Sequence, residues 1–187
     1  ITSGVAALVA ALVIGPRKRH TEEKPHNIVF FLFGAATLWF GWFGFNGGSA
    51  LASGSLTALV ILNTHVAGAA GGLAWLMIEW SIRKRPTLVG TATGAIAGLV
   101  AITPAAGFVT VPAALVIGFV GAPVAYFSIK CIKARLKYDD TLDAFGVHGM
   151  AGIWGAIATG LFATTSVNEA GNNGLLYGNA EQLLHQL

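Results

Sequence analysis

A histidine inside a long apolar stretch is the first candidate for chemistry in this chain. Residues 143–160 read DAFGVHGMAGIWGAIATG, and His148 is the titratable side chain within this stretch after the acid that opens it. Hydrocarbon cannot solvate an imidazole, so a titratable group in a membrane-spanning helix points to function by default. A neutral ring has one donor and one acceptor, and can accept a proton or hydrogen-bond a small polar solute. A histidine satisfied by a neighbouring helix is the alternative.

The helix around His148 is expected to start at Asp143, which can cap its first backbone N–H groups. Five residues rise only ~7 Å, so a deep His148 requires a recessed helix start and predicts an aqueous vestibule at that end. Glycines at every third position allow backbones, or a narrow conduit, to approach one face. They are Gly146, Gly149, Gly152 and Gly155.

A second histidine, His65, lies near the middle of another apolar stretch, ~15 Å from its start by helical rise. It follows Asn63 and Thr64, a polar patch that can hydrogen-bond across a helix interface. We therefore favour a structural role for His65.

Trp42, Phe45 and Ser49 are spaced three and four apart, and share one helix face if the helix persists to Ser49. Aromatic faces attract cations, more strongly when partly desolvated, and a serine hydroxyl can accept an N–H. The set therefore suits a small ammonium-like cation. An aromatic belt at the membrane interface is the alternative, and these residues taken alone favour the belt.

The remaining reactive residues predict no catalytic site. Glu79 is the acid nearest the interior of an apolar stretch, and we expect it to pair with Arg83 rather than to relay protons. Cys131 is the single cysteine, which argues against a disulfide and a cysteine-based metal site. Because the sequence has no carboxylate pair, Ser–His–Asp set or phosphate loop, we predict no enzyme activity, metal or cofactor.

The composition predicts an all-α polytopic membrane protein. Of 187 residues, 55% are hydrophobic and 10% are charged, whereas soluble domains carry about 25% charged residues. The net charge of +3 is compatible with nucleic acid, but the basic residues lie in short clusters between apolar stretches. That pattern is typical of membrane topology, so the expected partner is a lipid bilayer and not a nucleic acid.

The apolar stretches predict one transmembrane domain over 1–187, since about 20 apolar residues cross a bilayer. Five complete spans are expected, at 28–45, 56–80, 88–102, 109–129 and 142–163. The ends, 1–14 and 179–187, are interpreted as pieces of further helices, so the chain is taken as partial. In the span 88–102, small residues spaced by four predict close helix packing rather than a ligand site; they are Gly90, Gly94 and Gly98.

All 11 lysines and arginines fall in alternate connections between these spans. They lie in 15–27, 81–87 and 130–141, while 46–55, 103–108 and 164–178 contain none. Because basic loops remain in the cytoplasm, we expect the three basic connections on the cytoplasmic face of a cell membrane.

Several segments resemble the ammonium transporter (Amt/Mep/Rh) family, of the Amt type. They are GWFGFNGGS at 41–49, ITP at 102–104, DAFGVHG at 143–149 and the first 17 residues. The resemblance covers essentially the whole chain in order. It implies eleven helices in two inverted five-helix repeats, and a homotrimer with one pore per subunit. This chain would be the second five-helix half, with the end of the preceding helix and the start of the last.

The resemblance also implies roles for single residues. His148 matches the second of the family's paired pore histidines, whose partner would stand just before Ile1. Ser49 matches the ammonium recruitment site, Phe45 the aromatic gate, and Trp42 a position at the outer vestibule.

Two further residues match the family's motifs in a structural or vestibule role. Asp143 matches an acid at the base of the histidine helix, and Thr103 lies in the ITP motif. His65 matches no pore position, in agreement with a structural role.

The implied mechanism is recruitment of ammonium at the outer mouth, loss of a proton, passage of ammonia past the histidines and reprotonation inside. Methylammonium would serve as an analogue of the substrate, and a PII-type regulator could dock on the cytoplasmic face. Two alternatives stay open: an ammonium sensor domain coupled to a signalling module, and a Rh-like ammonia gas channel. The outer set at Trp42, Phe45 and Ser49 argues against the gas channel.

Overall fold

The computed structural model describes residues 1–18 and 26–187, and this part of the chain is helical, without β-strands. Its helices are α1 (Thr2–Ile14), α2 (Ile28–Gly48), α3 (Ser55–Arg83), α4 (Leu88–Ile102), α5 (Val111–Phe127), α6 (Lys133–Leu136), α7 (Ala151–Phe162) and α8 (Ala180–His185). Ser128–Ile132 and Phe145–Met150 are π-helical, and Leu175–Tyr177 is a 3-10 turn. Residues 19–25 of the predicted connection 15–27 lie outside the described residues.

Four helical segments are long and apolar enough to cross a membrane: Ile28–Gly48, Ser55–Arg83, Val111–Leu136 and Phe145–Phe162. Helices α1 and α4 are apolar but shorter, with 13 and 15 residues. At 1.5 Å per residue α4 extends only about 22 Å, less than a hydrocarbon core of about 30 Å. Its last residue, Ile102, is therefore found inside the bundle, with no exposed surface.

Helices α3, α4 and α5 form the centre of the bundle, and small residues let their backbones touch. A Cβ atom on Gly98 or on Gly118 would collide with the carbonyl of Ala67, and one on Gly71 would collide with the carbonyl of Gly94. Lipid gives little hydrophobic drive between helices, so close packing of this kind supplies much of the association energy. The predicted packing face of α4 is confirmed.

The buried turn between α4 and α5 is held by a side chain of α3. Asn63 has no exposed surface, and its Nδ2 donates to the carbonyls of Ala106 and Val109 at 2.9 Å each. Beside it, the hydroxyl of Thr64 accepts from Nδ2 of Asn46 at 3.1 Å. Buried carbonyls need such partners. The predicted polar patch therefore hydrogen-bonds across helix interfaces.

The segment that carries His148 packs on two other helices through glycines. Gly149 lies against the backbone of Gly4 in α1, where a Cβ atom on Gly4 would overlap it. Gly155 in α7 lies equally close to the carbonyl of Ala101 in α4. Helices α1 and α4 thus fix the position of the histidine helix.

The predicted N-terminal cap of the histidine helix is wrong. Asp143 has a left-handed φ of 54°, whereas a capping residue needs extended backbone angles to reach the N–H groups of the first turn. Its carboxylate instead pairs with Nζ of Lys133 at 2.6 Å. The cap comes from Asp140, whose Oδ2 accepts from the backbone N–H of Phe145 at 2.8 Å.

The predicted ion pair between Glu79 and Arg83 is not among the contacts of the described residues. Glu79 is only 5% exposed, and its Oε2 accepts from the backbone N–H and the hydroxyl of Thr87 at 2.7 and 2.8 Å. The reason is the turn that follows α3. Lys84 adopts a left-handed φ of 60°, which reverses the chain and brings Thr87 over the Glu79 carboxylate.

Most of the predicted basic connection 130–141 is helical rather than a loop. The helix of α5 continues through the π-helical segment Ser128–Ile132 and α6 to Leu136. It ends at Lys137, which has a left-handed φ of 56°. Helix α2 likewise runs to Gly48, three residues beyond the predicted end of its span.

Candidate functional site

A groove of about 1000 Å³ brings His148 together with Trp42, Phe45 and Thr103. We call it the His148 groove. Its remaining walls are mainly apolar and come from α1, α2, α4, the turn after α4, and α7: Ile1, Thr2, Ser3, Phe33, Gly34, Thr37, Leu38, Gly41, Val100, Pro104, Gly152 and Ala156. Few polar side chains therefore compete with His148 for a solute in this groove.

The imidazole of His148 faces the indole of Trp42. Their ring centroids are 6.4 Å apart and the rings are nearly parallel, at 16°. His148 belongs to the π-helical segment Phe145–Met150, and π-helical turns are frequent at functional sites. The half-buried histidine and the indole thus lie next to each other in the His148 groove.

The indole of Trp42 is held by Thr103. Its Nε1 donates to the Thr103 hydroxyl at 2.8 Å, and that hydroxyl donates to the carbonyl of Leu99 at 2.8 Å. Phe45 meets the same indole edge to face, with centroids 6.0 Å apart at 80°. The indole N–H of Trp42 is therefore satisfied by Thr103, and the ring of Trp42 lines the groove.

Ser49 lies in an adjoining cavity of about 140 Å³ and not in the His148 groove. Phe45 and Thr103 line both spaces, and Asn46 and Asn168 line the smaller one. The hydroxyl of Ser49 donates to the carbonyl of Phe45 at 2.8 Å, so the oxygen can still accept an N–H. Phe45 therefore borders both the cavity that holds Ser49 and the groove that holds His148.

Asp143 lies at the base of the histidine helix and lines neither cavity. A polar network surrounds it there, and most of this network was not predicted from the sequence. Nζ of Lys133 donates to Asp143 and also to the carbonyl of Asp140 at 2.5 Å.

Burial and the two carboxylates Asp140 and Asp143 raise the pKa of Tyr138 above its ordinary value. The sequence offered one signal for the role of Asp140: an acid shortly before an apolar run is a common helix start.

An ion pair joins the segment after α1 to the turn that precedes the histidine helix. Arg17 contacts both carboxylate oxygens of Asp139, with Nε to Oδ2 at 2.8 Å and a terminal nitrogen to Oδ1 at 2.6 Å. The hydrogen bond that Arg17 donates to Asp139 raises the pKa of the Arg17 guanidinium above its ordinary value. The two segments are 122 residues apart in the chain, and this distance explains why sequence patterns missed the pair.

His65 lies apart from both cavities. It is exposed on α3, and its ring is near two aromatic rings of α2, Trp39 at 5.5 Å and Phe43 at 5.9 Å between centroids.

Comparison with known proteins places this geometry in a family. The profile of the Ammonium Transporter Family matches residues 1–187. An "Ammonium transporter" of Bacillus subtilis (strain 168) is 54% identical over 187 residues, which cover all of this chain and 46% of the relative. The chain therefore spans about half the length of such relatives.

Solved structures agree in fold. Saccharomyces cerevisiae Mep2 matches with a TM-score of 0.91 at 38% identity, over 99% of this chain and 44% of that chain. A structure described as a "Sensor Amt Protein" matches with a TM-score of 0.85 at 36% identity, over 98% of this chain and 46% of that chain. With its sequence matched over its whole length and its helices superposable on those of Mep2, this chain belongs to the ammonium transporter family.

Proposed function

We propose that this chain is part of an ammonium transporter, in which an ammonium ion is recruited, deprotonated and conducted as ammonia past His148. The observation that carries the proposal is the near-parallel pair of Trp42 and His148, 6.4 Å apart in one groove. Membership of the ammonium transporter family supports the same substrate. The protein would then act as a transporter and not as an enzyme.

Recruitment is assigned to Ser49, Phe45 and Trp42. The Ser49 oxygen can accept an N–H of the ion, and aromatic rings attract a cation more strongly once it is partly desolvated. Phe45 lines both the outer cavity and the His148 groove, so it suits an aromatic gate. Thr103 sits at the same junction and belongs to the vestibule.

Conduction is assigned to His148. A bare ion inside hydrocarbon is very costly, whereas neutral ammonia needs only hydrogen-bond partners along an apolar path. The imidazole supplies a donor and an acceptor where the walls of the groove are mainly apolar. A partner histidine before Ile1 would extend this path, since Ile1 and His148 line the same groove.

The topology proposed for the whole protein follows from the basic residues. Segments 15–27, 81–87 and 130–141 would face the cytoplasm of a cell membrane, with Asp143 at the cytoplasmic base of the histidine helix. The full protein would be an eleven-helix inverted repeat that assembles as a homotrimer. A PII-type regulator is the partner that the family suggests for the cytoplasmic face.

An ammonium sensor is the second candidate, because a structure described as a "Sensor Amt Protein" shares this fold. A sensor would bind ammonium through the same outer residues and pass the signal to an attached module. Binding without transport distinguishes it from the first candidate.

The test uses the full-length protein in proteoliposomes, with methylammonium uptake and charge displacement recorded after an ammonium concentration jump. The proposal predicts saturable uptake, together with a current that does not arise in empty liposomes. Uptake without current would favour a Rh-like gas channel. Ammonium binding with neither uptake nor current would favour the sensor.

A further inference from the structure

We propose that Thr103 is a positioning residue for transport: its hydroxyl holds the Trp42 indole parallel to His148, and this orientation sets the rate of passage past the histidine. The inference rests on the proposed function and adds a role that the ITP motif alone does not specify. Thr103 itself need not touch the solute to act in this way.

The contact geometry fixes Trp42 through two successive hydrogen bonds. Nε1 of Trp42 donates to the Thr103 hydroxyl, whose own proton goes to the carbonyl of Leu99, each at 2.8 Å. Because the hydroxyl proton is committed to Leu99, the Thr103 oxygen is left to accept from the indole. The two hydrogen bonds together therefore fix the orientation of the Trp42 indole.

Thr103 is itself held rigidly. It is the C-terminal cap of α4, and its backbone N–H donates to the carbonyl of Val100 at 3.2 Å. The turn that follows is fastened by Asn63, which donates to the carbonyls of Ala106 and Val109. The orientation of Trp42 therefore depends on the packed centre of the bundle and not on a mobile loop.

The orientation has a chemical consequence in the groove. With its N–H donated to Thr103, Trp42 presents only a ring face to a solute beside His148. Without this acceptor the N–H would be unsatisfied in an apolar groove, which is costly. The indole would then turn to find another acceptor, and the imidazole of His148 offers one in the same groove, with ring centroids 6.4 Å apart. An indole bonded to His148 would occupy the acceptor that ammonia, a hydrogen-bond donor, needs.

The test compares Thr103→Val, which keeps the side-chain shape without the hydroxyl, with Thr103→Ser, which keeps the hydroxyl. Thr93→Val is the matched control in the same helix. The hydroxyl of Thr93 also donates to a carbonyl one turn back, that of Val89, at 2.8 Å, but Thr93 does not line the groove. All variants are made in the full-length protein.

Two readouts are recorded: the kinetics of methylammonium uptake, and the ultraviolet resonance Raman signal of the Trp42 indole N–H. The second is obtained by subtracting the spectrum of the matching Trp42→Phe protein. One net hydrogen bond corresponds to roughly a three- to tenfold effect, so we expect Thr103→Val to lower the maximal uptake rate by about that factor. The half-saturation concentration should change less than the maximal rate, because Ser49 and Phe45 of the outer site are unchanged. Thr103→Ser and Thr93→Val should retain the wild-type rate and indole signal.

Trp42→Phe provides a second variant in case Thr103→Val fails to fold. It removes the donor and leaves Thr103 intact, so no hydrogen bond holds the ring parallel to His148 and the uptake rate should also fall. Adding Thr103→Val to Trp42→Phe should have little further effect, since two residues that act through one bond are not additive.

The inference is overturned if Thr103→Val shifts the indole signal but leaves the uptake rate unchanged, or if Trp42→Phe transports at the full rate. Equal losses in Thr103→Val and Thr103→Ser would also overturn it, because the hydroxyl would then be irrelevant. A wild-type protein that binds ammonium without transport would refute the proposed function instead. In that case an indole signal unchanged by Thr103→Val would still overturn the positioning role.

Discussion

Phe45 and Trp42 meet edge to face, with ring centroids 6.0 Å apart and an interplanar angle of 80°. Phe45 is 62% exposed and lines both the outer cavity and the His148 groove. In the proposed pathway, a cation at Ser49 would therefore meet the Phe45 ring before it reaches Trp42 and the histidine. In the proposed function, the two rings together would form an aromatic surface between the recruitment site and His148.

Replacing Phe45 with Leu should weaken recruitment, because a leucine side chain has no π face for the cation. An exposed cation–π contact corresponds to roughly a two- to fivefold change in affinity, so we expect the half-saturation concentration for ammonium to rise by about that factor. Phe43→Leu on the same helix is the control, since Phe43 lies beside His65 and outside the groove. Equal effects of the two substitutions in an ammonium-induced current assay would contradict the role of Phe45.

The capping role of Asp140 predicts a difference between two neighbouring acids. Asp140→Ala should lower the free energy of unfolding by about 1–2 kcal/mol, the usual cost of losing a helix cap. Asp143→Ala should cost at most about 1 kcal/mol, because its pair with Lys133 is partly exposed and surface ion pairs contribute little. Denaturant unfolding in detergent measures both values. A larger cost for Asp143→Ala than for Asp140→Ala would restore Asp143 as the cap.

Two adjacent glycines of α3 should respond differently to alanine. A Cβ atom on Gly71 would lie 2.9 Å from Gly98 Cα and closer still to the carbonyl of Gly94, whereas one on Gly72 would lie 3.4 Å from the nearest atom. Gly71→Ala should therefore destabilise the protein by about 1–3 kcal/mol through overpacking. Gly72→Ala should be neutral or stabilise the helix by up to about 1 kcal/mol. Thermal unfolding that shifts equally for both variants would argue against backbone contact between α3 and α4.

The raised pKa of Tyr138 predicts a loss of stability at high pH. Burial and the nearby carboxylates favour the neutral phenol in the folded state. Its contribution to stability is therefore fully present below the ordinary tyrosine pKa near 10, and is lost as the pH rises through the higher folded-state value. Above pH 10 the free energy of unfolding of the wild-type protein should fall faster than that of Tyr138→Phe. Parallel pH profiles would contradict the shift.

Patterns of hydrophobicity and charge predicted the helical class and the membrane setting, because both depend on local composition. The small residues of α4 and the Asn63–Thr64 patch were likewise interpreted correctly from their spacing. Small residues at a helical interval commonly serve close packing in lipid, and amide or hydroxyl side chains inside an apolar helix commonly serve hydrogen bonds between helices.

Contacts that depend on turn geometry were not predicted from the sequence. Asp140 caps the helix in place of Asp143 because Asp143 has a left-handed backbone conformation. Glu79 bonds Thr87 and not Arg83 because the chain reverses at Lys84. The bond between Trp42 and Thr103 joins residues 61 positions apart, which no local pattern reveals. The same limit applies to the separation of Ser49 and His148 into two adjoining cavities.

The most direct test of the central claim is the charge displacement produced by an ammonium jump in full-length His148→Ala, with His65→Ala as the control. His65 also lies within a membrane-spanning helix but faces Trp39 and Phe43 outside both cavities. We predict that His148→Ala abolishes the ammonium-induced current or makes it unselective between ammonium and potassium, and that His65→Ala retains it. A selective current of wild-type size in His148→Ala would contradict a pathway through this histidine.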